Sequence, residues 1–230
     1  EEDDLVIEPS TSKVGYTFIC WDYNFDAPLK SDLVISASWS PNQYIITFDT
    51  NGGSLSNNKL TVTYDKSYTL PIPYKVGYTF TGWYENNNKI TDGIWGKTSN
   101  LNLKAKWNVN TYKITYYLNS GIIDSSRPTS YTYGITKNIP NPTKTGYEFI
   151  GWTVNNSSQK YVDYQITNKT YGNLELVANY KANVYTITYN VNGGNKLTVT
   201  KYQYTFDSSY TLPIPTKNYY NFAGWYYSGK

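Results

Sequence analysis

Histidine and methionine are absent from this 230-residue sequence, and cysteine occurs once. Without histidine there is no Ser-His-Asp triad and no His-bearing metal site. With Cys20 alone there is no intrachain disulfide. Arginine is nearly missing too: Arg127 stands alone, so bidentate phosphate clamps are all but excluded. Charged residues make up 16% of the chain and the net charge is +3, too weak and dispersed to attract nucleic acid or anionic lipid. No apolar run approaches the roughly 20 residues that span a bilayer, so no membrane insertion is expected. The Asn-Gly-Gly stretches lack a following Gly-Lys-Ser/Thr and read as turns, not phosphate cradles. Carboxylates are scattered, and nothing repeated supplies a glycosidase pair. No enzyme, metal or cofactor is expected.

Aromatic side chains are plentiful, at 18%, with 27 Tyr and 7 Trp. They recur in one pattern: Gly77-Tyr78-Thr79-Phe80-Thr81-Gly82-Trp83, Gly15-Tyr16-Thr17-Phe18-Ile19-Cys20-Trp21 and Gly146-Tyr147-Glu148-Phe149-Ile150-Gly151-Trp152. A worn copy is Tyr219-Tyr220-Asn221-Phe222-Ala223-Gly224-Trp225. Alternation places Tyr78 and Phe80 on one face of an extended segment, and the glycine before Trp83 permits a bend or a close backbone approach. Each copy reads as the aromatic plug of a small module. The expected core residues are Tyr16, Phe18, Trp21, Tyr78, Phe80, Trp83, Trp107, Tyr147, Phe149, Trp152, Phe222 and Trp225. Cys20, where other copies have glycine, reads as a small residue beside a core tryptophan in preference to a reactive thiol.

Other segments repeat in step. An opening strand sets Tyr44, Ile46 and Phe48 on one face against Ile45, Thr47 and Asp49 on the other, and returns from Tyr112 and from Tyr185. A second strand, Leu60-Thr61-Val62-Thr63-Tyr64, is echoed by Leu197-Thr198-Val199-Thr200. Pro71-Ile72-Pro73, Pro140-Asn141-Pro142 and Pro213-Ile214-Pro215 mark an extended crossover that cannot be a central strand. A closing strand puts Leu101, Leu103, Ala105 and Trp107 on one face and Asn102, Lys104 and Lys106 on the other. The repeat length is about 70 residues. The expected division is a partial repeat over 1–39, complete repeats over 44–107 and 112–180, and a partial repeat over 185–230. The acidic start, the missing initiator methionine and the broken terminal repeats read as a piece of a longer polypeptide. The expected fold is mainly β, with room for a short helix in the variable region from Glu85 to Asn100.

These motifs resemble the internalin-B-type B repeat, also called the Listeria–Bacteroides repeat. The resemblance rests on Tyr44–Gly53, Pro71–Trp83 and Leu103–Trp107, with Pro140–Trp152 closest to the central motif, and it covers nearly the whole chain. It implies tandem β-grasp-like (SUMO-like) modules forming an elongated rod on secreted or wall-attached bacterial proteins. The role implied is a stalk that projects other domains and supports adhesion, in contact with host or bacterial surface proteins or glycans. Aromatics outside the recurrent core positions, Tyr84, Trp95, Tyr117, Tyr226 and Tyr227, are the candidate ligand-binding residues, because exposed Tyr and Trp stack on sugars and anchor protein partners. Two other readings stand beside the stalk: direct glycan or host-protein recognition by those aromatics, and self-association through the terminal partial repeats.

Overall fold

The computed structural model describes residues 7–28 and 30–227. Those residues form strands, turns and loops without a helix, so the variable region from Glu85 to Asn100 holds strand and loop. The chain divides into two compact units, Glu1–Asn110 and Thr111–Lys230.

The first unit opens with the hairpin of β1 (Tyr16–Trp21) and β2 (Ala37–Pro41). It continues with β3 (Gln43–Asp49), β4 (Lys59–Thr63), β5 (Ser67–Tyr68), β6 (Tyr78–Glu85), β7 (Asn88–Ile90), β8 (Gly93–Ile94) and β9 (Leu101–Val109). Five of these make a mixed sheet in the order β4-β3-β9-β6-β7. The opening strand β3 runs antiparallel to β4, with Tyr44 opposite Val62 and Ile46 opposite Leu60, which settles the register. On its other edge β3 runs parallel to the closing strand β9, Ile46 opposite Leu101 and Phe48 opposite Leu103. A parallel pair needs a long crossover, and the Pro-x-Pro segment and plug supply it. The closing strand is therefore central. Leu101, Leu103 and Ala105 are buried while Asn102, Lys104 and Lys106 are exposed, the period-two pattern of a strand with one face on a core.

The second unit repeats the plan with β10 (Thr111–Tyr117), β11 (Ser130–Thr132), β12 (Lys137–Asn138), β13 (Tyr147–Val154), β14 (Lys160–Tyr161), β15 (Gln165–Ile166) and β16 (Leu174–Ala182), in the order β11-β10-β16-β13-β14. It ends in the antiparallel pair β17 (Val184–Thr188) and β18 (Lys201–Thr205). The expected second strand at Leu197–Thr200 is not the one that pairs. β18 lies just beyond it, because Tyr202 and Tyr204 supply the alternating apolar positions, and the Tyr204 ring sits 5.7 Å from that of Tyr185.

One core fills each complete repeat. In the first, Ile46, Phe48, Val62, Trp83, Trp95, Leu101, Leu103 and Ala105 cluster; in the second, Ile114, Tyr131, Ile139, Trp152, Ile166, Leu174, Leu176 and Ala178. A unit this small buries only about 60% of its unfolded surface, so large rings carry much of the stability. The glycine before each buried tryptophan has a specific task. Register slips between Phe80 and Gly82 and between Phe149 and Gly151, a bulge in which Gly82 and Gly151 adopt φ of 143° and 119°.

Candidate functional site

The plug does two jobs, divided along its length. Its tryptophan end is core: Trp83 and Trp152 are buried, with Phe80 and Phe149 packed edge-on at 5.4 Å from them. Trp107 is partly buried against Phe80, at 5.4 Å. Trp83 also donates from Nε1 to the Pro71 carbonyl at 2.7 Å, tying plug to crossover.

Its Gly-Tyr end is a joint. In the first unit Gly15 lies flat against the Tyr64 ring, so close that an added Cβ would meet ring carbons at 2.3 Å. The neighbouring Tyr16 ring stands edge-on to Tyr64 at 5.6 Å, and its hydroxyl donates to Asp65 Oδ2 at 2.9 Å. The backbone continues the joint: Asn42 N–H donates to the Gly15 carbonyl, and Tyr64 N–H donates to the Asn42 carbonyl, both at 2.9 Å. The second unit builds the same thing from different residues. Gly146 lies on the Phe206 ring, Tyr147 stands edge-on to Phe206 at 5.6 Å, and the Tyr147 hydroxyl donates to Asp207 Oδ2 at 3.1 Å. Asn183 and Phe206 complete the backbone path to Gly146. In each case a plug grips the end of the following repeat's second strand. The hydrogen bond to a carboxylate pushes the Tyr16 phenol above its ordinary pKa, and the Tyr147 phenol likewise.

Tyr16 and Tyr147, expected in the core, are thus half-buried joint residues. The signal that marks them lies elsewhere in the sequence, in the Tyr64-Asp65 and Phe206-Asp207 pairs that follow the second strand. A lysine three positions before each plug tyrosine adds a cation over the ring. Lys13, Lys75, Lys144 and Lys217 sit 3.9, 4.5, 4.4 and 4.8 Å from the centroids of Tyr16, Tyr78, Tyr147 and Tyr220. Three of these ammonium groups also donate to a turn carbonyl, those of Asn51, Asn119 and Asn192. These lysines are internal fastenings.

Other expectations need correcting. Trp95, taken as an outward-facing aromatic, is 2% exposed. Its backbone bonds to Asp65 and Lys66 pull the loop inward, and the indole packs against Tyr68 at 5.6 Å and Tyr44 at 6.3 Å. Tyr84 is half-buried on β6 beneath Lys106, whose Nζ lies 4.1 Å from the ring centroid. Tyr117, Tyr226 and Tyr227 are exposed. Phe18 and Trp21 are half-buried in a ring cluster with Trp39 and Phe25, and Cys20 is exposed. Tyr78 is half-buried. Phe222 is 40% exposed and Trp225 only half-buried, because among the described residues no strand lies alongside this last plug.

The second complete repeat carries an aromatic groove of about 360 Å³, where Tyr161, Tyr164 and Tyr171 meet Asn155, Ser157 and Thr170. Among the described residues no cluster of three or more Cys, Asp or Glu is placed to hold a metal ion.

Fold and joints together define a tandem array of small all-β modules with aromatic cores. The chain belongs to the family described as the Listeria-Bacteroides repeat domain, whose profile matches residues 44–106, 112–179 and 185–229. It is 30% identical, over 94% of its length, to a protein of Evansella cellulosilytica provisionally named a Gly-rich membrane protein, of which it covers 28%. A second protein of that organism, provisionally named a membrane protein, is 30% identical over 84% of the chain, which covers 29% of it. Internalin H of Listeria monocytogenes is 35% identical over 47% of the chain, and 22% of that protein is covered. The chain therefore spans less than a third of the length of each of these relatives.

Proposed function

We propose that this chain is a non-enzymatic spacer in a bacterial cell-surface protein, extracellular or wall-attached, a stalk of β-grasp-like repeats that projects other domains and supports adhesion. The observation that carries the reading is the joint. A flexible tether needs no specific contact between repeats, whereas Gly15-Tyr16 on Tyr64-Asp65 and Gly146-Tyr147 on Phe206-Asp207 repeat one set of contacts with different residues. Small linkers with a ring contact, a charge-assisted hydrogen bond and two backbone bonds hold neighbouring modules in one orientation. The relatives' names, membrane protein and internalin, agree with a place at the cell envelope.

Solution scattering tests the stalk. Inserting one further copy of residues 112–182 should lengthen the maximum dimension by roughly the 28 Å of one module expected from size scaling. A maximum dimension that stays constant would mean a compact assembly and refute the spacer.

A second reading has its own support in the Tyr161, Tyr164 and Tyr171 groove. Tyrosine faces beside amide and hydroxyl groups suit a sugar ring, which presents C–H patches and hydroxyls together. On this reading the chain binds a host or bacterial glycan directly, and a glycan array probed with the chain and with Tyr171→Ala distinguishes the two. Signal lost on substitution supports recognition, and silence of both proteins returns the chain to spacing alone.

A further inference from the structure

The tyrosine groove of the second complete repeat has a counterpart position in the first, and there a lysine is neutralised from within. Glu85 stands two residues after the buried Trp83, and Lys97 stands four before Leu101, the first residue of the closing strand. Their side chains meet at 2.6 Å. In the second repeat the matching positions are Val154, two residues after Trp152, and Thr170, four before Leu174. The carboxylate is gone, while a lysine remains one position earlier, at Lys169. Val154, Lys169 and Thr170 all line the groove. Among the described residues the Lys169 ammonium makes no ion pair and no hydrogen bond.

The other polar groups of the groove narrow what it can take. Three of its oxygens are already committed to the fold. Asn155 Oδ1 accepts from Glu175 N–H at 2.8 Å, Ser157 Oγ from Gln159 N–H at 3.1 Å, and Thr170 Oγ1 from Thr167 N–H at 3.0 Å. The groups left to a ligand are the hydroxyls of Tyr161, Tyr164 and Tyr171 and the Lys169 ammonium, a set richer in donors than in acceptors. The neighbouring carboxylates of the chain are Asp163 and Glu175, and neither lines the groove. Asp163 Oδ1 already accepts from Asn141 Nδ2 at 2.7 Å. The Tyr161 and Tyr164 rings stand 5.6 Å apart and tilted by 55°, which presents aromatic surface beside the cation.

Resting on the glycan reading above, we propose that this groove binds an acidic sugar, a pyranose whose ring packs on tyrosine and whose carboxylate is held by Lys169. The ligand's carboxylate then does for Lys169 what Glu85 does for Lys97 in the first repeat. Ring packing is common to neutral and acidic sugars and supplies affinity for both. The lysine supplies the discrimination, because a charge-assisted hydrogen bond is roughly twice as strong as a neutral one. A neutral sugar leaves the ammonium to water and gains nothing from it. The first repeat offers no equivalent site, since Glu85 occupies its lysine and Trp95 is 2% exposed.

The probes are oligosaccharides of galacturonic and glucuronic acid, the methyl esters of the same oligosaccharides, and polyglutamate as an anion without sugar, each titrated against the whole chain. The acids should bind at least about fivefold more tightly than their esters. Lys169→Gln should remove that difference and leave ester binding unchanged, Lys169→Arg should keep it, and Tyr171→Ala should weaken acid and ester alike. Lys169 lies on an exposed loop, so the fold is not at stake in its variants. Equal binding of acid and ester, or a difference that survives Lys169→Gln, would overturn the assignment while leaving the glycan reading standing. Polyglutamate bound as tightly as the acidic sugars would overturn it as well, because bare charge would then suffice. Silence towards acids and esters together would remove both the acidic-sugar site and the glycan reading.

Discussion

Replacing Gly146 by alanine isolates the joint from everything else the plug does. Gly146 has φ of 76°, so any L side chain pays about 1–2 kcal/mol for the left-handed conformation alone. The new Cβ would also lie 2.3 Å from Phe206 Cγ and Cδ1, far inside van der Waals contact. Separating ring and backbone is an overpacking change, about 1–3 kcal/mol, for a total of about 2–5 kcal/mol. The amides that report on it are Asn183 N–H, bonded to the Gly146 carbonyl, and Phe206 N–H, bonded to Asn183. Their exchange should accelerate by about thirtyfold to a few thousandfold, at one decade per 1.4 kcal/mol. Placing the same change in a Phe206→Ala background removes the ring and leaves only the conformational cost, so Gly146→Ala there should accelerate exchange by about thirtyfold at most. If Gly146→Ala costs the same in both backgrounds, no ring rests on that glycine and the joint does not exist as described.

Trp152→Ala should unfold its own repeat, since truncating a buried tryptophan costs about 3–5 kcal/mol against a total near 5–15 kcal/mol. Trp83→Ala should cost about 1 kcal/mol more, because it also orphans the Pro71 carbonyl. Exchange resolved by repeat checks both, and protection that survives intact in the altered repeat would contradict them. Alkaline pH should loosen the second complete repeat. Burial pushes the Tyr116 and Tyr131 phenols up to about 12, and both donate their protons to carbonyls, of Pro128 at 2.7 Å and Gly172 at 2.6 Å. Their folded values lie above the unfolded value near 10, so their contribution is complete below about pH 10 and is lost as pH rises through about 12. Phenolate absorbance should show a late-titrating group whose ionisation coincides with loss of circular dichroism. All tyrosines ionising together near 10, with the fold unchanged, would refute this.

Several elements were legible because their physics is local. Alternation announced that Leu101, Leu103 and Ala105 face a core, and Asn51-Gly52 announced a turn, with φ of 50° and 83°. The same turn forms at Asn119-Ser120, with φ of 50° and 67°, although the glycine is gone. Trp95 was misread because its loop has no period; only its backbone bonds to a distant turn decide that it points inward. The second strand of the last repeat was misplaced for the opposite reason. Leu197-Thr198-Val199-Thr200 alternates as well as its neighbour does, and pairing with Tyr185 selects the neighbour.

By itself, then, the sequence determined the repeat, its opening and closing strands, its family and the core place of Trp83 and Trp152. Those properties depend on composition and spacing within a few residues, where steric and hydrophobic rules act directly. Tertiary structure alone decided that the closing strand is central and parallel to the opening one, and that the Gly-Tyr of the plug leaves its own core to grip the next repeat. Each of these depends on which distant backbone edge or ring comes within contact distance, and no local pattern encodes that choice.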